Sequence, residues 1–84
     1  LPLEDWTPSA RQEAPAVEER EAMSRAMARL SPRYRELLLL KHWQGFSDRE
    51  IGNMLSMSQS NVARTLQRAK EKLRDYLREE GVEV

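Results

Sequence analysis

An all-α fold is predicted for this chain: a compact four-helix domain ending in a helix-turn-helix and preceded by an irregular linker. Two observations carry the prediction. From Val17 onward, apolar residues recur at helical rather than alternating spacing. Start and stop signals also divide that stretch into pieces of helical length, with "LSP", "GFSDRE" and "SMSQS" as the punctuation.

The first fifteen residues, "LPLEDWTPSARQEAP", carry three prolines and no helical period, so 1–15 reads as an interdomain linker or arm. Trp6 stands out in it, equally suited to packing on its own domain or to anchoring a partner. The domain proper is placed at 16–80, with 81–84 a tail. Because the chain opens at Leu1 rather than Met, a fragment of something longer is expected.

A first helix is predicted over 16–29. Met23, Met27 and Leu30 fall on one face with Val17 and Ala26 nearby, while Arg20, Glu21, Arg25 and Arg29 lie mostly off it. The methionines suit a core, and they adapt well where a partner must be accommodated too. Ser31 and Pro32 open a second helix, and Gly45 supplies the left-handed residue that ends it. Its run Leu37 to Leu40, with Tyr34 and Trp43, covers more than one face. Such a helix must be central or must offer apolar surface to a partner.

Ser47 with Glu50 three residues later signals a capping box before Ile51, Met54 and Leu55, giving a short third helix over about 48–55. Ser56 and Ser58 interrupt it, since their side chains compete for backbone hydrogen bonds. The fourth helix, about 59–78, would be roughly 30 Å long. Val62, Leu66, Ala69, Leu73, Tyr76 and Leu77 fall within an arc of roughly 100° and form its buried stripe. Opposite that stripe lie Ser60, Arg64, Gln67 and Glu71, with Asn61, Arg68 and Arg74 on the shoulders.

Charge and composition narrow the function. The formal net charge is zero, but residues 58–73 hold four basic and one acidic side chain, flanked by acidic ends. No cysteine is present, which removes disulfides and thiolate metal sites and makes a cytoplasmic address the default. Neither a signal peptide nor an apolar run long enough to cross a bilayer is seen. His42 lacks a second ligand of its kind and reads as a packing residue, so no metal or other cofactor is expected. No nucleophile–base pair can be assembled, so the chain is not read as an enzyme.

A short helix, a tight turn and a second helix with a polar face form the arrangement that places the second helix in the major groove of DNA. Small residues at Gln59, Ser60, Asn61 and Ala63 permit close approach. Gln and Asn match adenine edges and Arg matches guanine, each good pair being worth about 1–3 kcal/mol of discrimination. Arg68, Lys70 and Lys72 suit phosphates. An N-terminus with no acid in its first turn, starting at Ser58, suits them too.

"LSPRYRELLLLKHWQGFSDREIGNMLSMSQSNVARTLQRAKEKLRDYL", residues 30–77, resembles region four of bacterial sigma factors, most closely the extracytoplasmic-function group. Leu30 and Pro32 before the leucine run, Gly45 before "SDREIG", and "NV" leading to "LQRAKEKL" carry the resemblance. It implies a four-helix domain whose last helix recognises the −35 promoter element. RNA polymerase core would dock its β flap on an apolar surface of the domain, and an anti-sigma factor often covers that surface. Carried over by position, Ser58, Gln59, Ser60, Asn61, Arg64 and Gln67 are base-edge or near-base candidates, and Arg68 and Lys41 are backbone candidates. Met23, Met27, Leu37, Leu38 and Trp43 are candidates for the partner surface.

Ser56 stands where the family commonly has Gly, and Gly52 where it has a small Ala; both exchanges are sterically tolerable. Where Ala63 and Thr65 stand the family often has basic residues. Weak DNA binding by the isolated domain is therefore expected, with specificity appearing when polymerase holds it at the promoter. Two other readings share part of the pattern. A LuxR-like regulator has "LSPR" and "GFSDREI"-type segments but ends soon after its recognition helix, whereas "RAKEKLRDYLREE" continues for about three more turns. A helical interaction module without DNA reading would need the apolar faces alone.

Overall fold

A computed structural model describes residues 17–82. The linker expected over 1–15, with Trp6, lies outside the described residues, as does the end of the 81–84 tail. Four helices and no strand are found among the described residues: α1 Val17–Arg29, α2 Pro32–Leu38, α3 Asp48–Leu55 and α4 Gln59–Glu79.

Each start has a local cause. The N–H of Tyr34 donates to Ser31 Oγ at 3.4 Å and Pro32 occupies the first turn of α2, where its missing donor costs nothing. The end of α1 is closed by a residue far along the next helix. The Arg35 guanidinium donates to the carbonyl oxygens of Met27 (3.1 Å), Ala28 (3.3 Å) and Leu30 (3.0 Å), acceptors that a helix C-terminus leaves open.

The second helix is not uniform as the sequence suggests. After Leu38 it widens into a π turn, Leu39–Trp43, closed by Gln44 N–H donating to Leu39 O at 3.0 Å. A four-leucine run cannot lie on one α-helical face, and the turn changes the phase after the second leucine. Leu37 and Leu38 point into the core, Leu40 is half-buried and Leu39 is exposed.

The core gathers Ala26, Leu30, Leu37, Leu38, Ile51, Val62, Leu66, Ala69, Leu73 and Leu77. α4 is the element common to all of it, packing against α1, α2 and α3. Burying one such leucine is worth about 1.5–3 kcal/mol. Tyr76, expected in the buried stripe, is half-buried and carries the Arg29 guanidinium 4.0 Å from its ring centre. Arg29 also pairs with Glu79 at 3.2 Å and Arg25 with Glu80, fastening α1 to the last turn of α4.

Burial corrects part of the partner surface. Leu37, Leu38 and Met27 are 0%, 1% and 9% exposed, so they hold the domain together and are not open to a docking partner. Trp43 is 39% exposed and Met23 half-buried; these two keep accessible apolar area, as do Leu39 and Met54.

Candidate nucleic-acid interface

The reading helix is aimed by the turn before it. α3 begins with a reciprocal capping box: Glu50 N–H donates to Ser47 Oγ at 3.1 Å, and Ser47 N–H donates to Glu50 Oε1 at 2.9 Å. The backbone N–H of Ser47, and then its hydroxyl, hold the Glu50 carboxyl below its ordinary range. Ser56 ends α3 in the left-handed region, φ 56° and ψ 45°. Its N–H and that of Met57, at 2.8 Å, both donate to Gly52 O.

Gly52 is needed for that closure. A Cβ there would sit 2.5 Å from Met57 O, a backbone atom with no freedom to retreat. The glycine therefore brings the turn down onto α3 more tightly than the Ala usual in the resembling family would permit. Ser58 then caps α4, its Oγ accepting from Asn61 N–H at 3.1 Å.

Seven of the eight nucleic-acid candidates share one surface: Ser58, Gln59, Ser60, Asn61, Arg64, Gln67 and Arg68 are all exposed on or just before the N-terminal half of α4. Val62, Leu66 and Ala69 on the opposite side are buried and fix which way that surface faces. No acid stands in the first turn of α4. Positive helix-end charge and Arg64 therefore act together there.

Two members are restrained from within the helix. Thr65 Oγ1 donates to Asn61 O at 2.7 Å, and Gln67 Nε2 donates to Glu71 Oε1 at 3.4 Å. The hydroxyl of Ser58 serves as the cap, with Ser60 Oγ 3.5 Å away.

Lys41 is placed differently. It rises from the π turn, half-buried, and its Nζ pairs with Asp48 Oδ1 at 3.0 Å, at the start of α3. Its neighbour His42 is held below the ordinary value of 6.5, first by burial and then by the charges of Lys70 and Lys41, with Asp48 opposing them. His42 is thus neutral at pH 7, in keeping with a packing role. No group of three or more His, Cys, Asp or Glu suited to a metal ion occurs among the described residues.

Arg35 is the structural residue that composition hides. Nothing in the periodicity of α2 marks a side chain that reaches back to cap α1. The Gln67–Glu71 pair, by contrast, was available from its i, i+4 spacing.

A capped α3, a left-handed turn and a buried α4 seam carrying an acid-free polar face define a helix-turn-helix of the nucleic-acid-reading class. Residues 20–73 match the family described as Sigma-70, region 4. Over 52 residues the chain is 40% identical to a protein named RNA polymerase sigma-E factor, from Streptomyces antibioticus. That match covers 62% of this chain and spans 29% of the relative's length. No solved structure matches. The chain belongs to the sigma-70 region 4 family and is a DNA-binding sigma-factor domain of the extracytoplasmic-function type, not an enzyme.

Proposed function

We propose that this domain recognises the −35 promoter element by laying the N-terminal half of α4 in the major groove, while RNA polymerase core holds it at the promoter. The observation that carries the reading is the exposed line Gln59, Ser60, Asn61, Arg64 and Gln67, backed by a fully buried Val62. Amides and a guanidinium on a rigid helix match base edges, and Arg68 on the shoulder matches a phosphate. Lys41 joins the backbone contacts only by exchanging Asp48 for a phosphate. The α4 helix runs to Glu79, which favours this reading over a LuxR-like regulator.

For the polymerase, the β flap docks on apolar area around Trp43, Leu39 and Met23, and the same area would serve an anti-sigma factor. Trp43 at 39% exposed can give up water on binding without unfolding the domain, whereas Leu38 cannot. The whole factor's activity follows from the relative's name only by this proposal, since the match spans 29% of that relative.

Footprinting of polymerase reconstituted with the complete sigma factor is the test. Protection over the −35 region, lost in Arg64→Ala and Gln59→Ala, is expected; protection confined to the −10 side would refute the assignment. Each substitution is expected to cost about 1–3 kcal/mol at its own base pair.

A further inference from the structure

Directly opposite the buried seam, Ser60, Arg64, Gln67 and Glu71 form one exposed line along α4. An acid at the end of a nucleic-acid face is unfavourable by charge alone, because phosphates pass close to the helix. Its neighbour gives it a purpose. Gln67 Nε2 donates to Glu71 Oε1 at 3.4 Å.

A carboxylate only accepts hydrogen bonds, so the Gln67 amide must turn its nitrogen toward Glu71. That chemical requirement settles which end of the amide is which. One N–H is then committed, and the second N–H and the carbonyl oxygen remain as an adjacent donor and acceptor. This pair is the pattern that matches N7 and the N6 amine of adenine in the major groove. Left alone, a glutamine on an exposed helix face samples many rotamers and loses that freedom on binding.

We infer that Glu71 is a positioning residue that orients the Gln67 amide for base reading, at the expense of overall affinity for DNA. The inference rests on the reading of α4 as the recognition helix. It gives two signatures of opposite sign, which a residue that merely stabilises the helix would not produce. Glu71→Ala is expected to bind random duplex DNA about twofold more tightly, because a negative charge near the phosphates is gone. The same variant is expected to lose about fivefold in preference at a single base pair, a typical coupling between touching side chains. Glu71→Gln can still accept from Gln67 and is expected to keep the preference while gaining the affinity.

The experiment is selection of the 84-residue chain and its variants against randomised duplex DNA at low salt, read by sequencing, with circular dichroism confirming equal helicity. The base pair whose preference falls in Glu71→Ala should be the one that falls in Gln67→Ala, and the double variant should lose no more than Gln67→Ala alone. Loss of preference in Gln67→Ala with none in Glu71→Ala would overturn the inference and leave the DNA reading standing. No loss in Gln67→Ala at any base pair would remove Gln67 from the reading set and the inference with it.

Discussion

Gly52 and Ser56 make opposite compromises within five residues of chain. Gly52 gives up helix propensity so that Met57 O can close over it, and an added Cβ would sit 2.5 Å from that oxygen. Gly52→Ala is therefore expected to destabilise the domain by about 1–3 kcal/mol, the usual cost of overpacking, as measured by urea denaturation. Ser56 holds φ 56° with a Cβ present. The left-handed penalty is roughly 1–2 kcal/mol, and glycine's extra unfolded freedom returns about 0.5–1 kcal/mol of it. Ser56→Gly should accordingly raise stability by about 0.5 kcal/mol in the same assay, and no gain would mean that the turn relaxes around serine. Arg35 spans elements: Arg35→Ala removes the donor to three carbonyls of the α1 terminus, so amide hydrogen exchange should quicken in α1 while α4 stays protected.

At the scale of elements, α3 and α4 were legible because their ends are chemical. Ser47 with Glu50, and Ser58 before Gln59, are capping signals that need no tertiary context, and the boundaries follow from them. The reading face was legible for the same reason, since a 3.6-residue period assigns both sides of a helix once one is apolar. The leucine run carries no such phase, so sequence could not tell Leu37 and Leu38, which are core, from Leu39, which is exposed. The long reach of Arg35 and the Lys41–Asp48 pair depend on how helices meet, which periodicity does not encode. Ser58 offers a test of the cap apart from the charge. Ser58→Ala should cost about 1 kcal/mol of stability. Ser58→Asp should keep stability yet weaken DNA binding, through a carboxylate beside the phosphates; equal binding by the two variants would count against phosphates lying at that end of α4.

Across the whole molecule, stability should depend on pH through two groups acting in separate windows. His42 is held below 6.5 in the fold, so below that value the unfolded chain takes up the proton first. Its contribution is full above 6.5 and shrinks as pH falls toward the folded value. Glu50 is held below 4.5, so the capping box contributes fully above that pH and fades only in stronger acid. Denaturation midpoints measured from pH 7.5 to pH 5 should fall, and His42→Gln should flatten the fall; an unchanged slope would exclude His42 as its source. The exposed and buried halves of the apolar run separate folding from docking. Leu38→Asp should abolish helicity in circular dichroism, whereas Trp43→Asp should retain it and lose polymerase binding. With few cations in the first turns of α4, DNA binding by the isolated chain should be weak and should decline further as salt rises.

The π turn over Leu39–Trp43 is formally one residue more than an α-helix needs to span the same height. Deleting Leu39 would leave a continuous ladder of backbone hydrogen bonds, and by that measure the shortened helix would be sound. Everything after the deletion would nevertheless rotate by about 100° relative to α2. Lys41 would swing away from Asp48, and His42 away from Lys70. Residue count in that segment, more than residue identity, then governs how the helix-turn-helix is seated on the rest of the domain. Substitutions there should be forgiven where single-residue deletions are not.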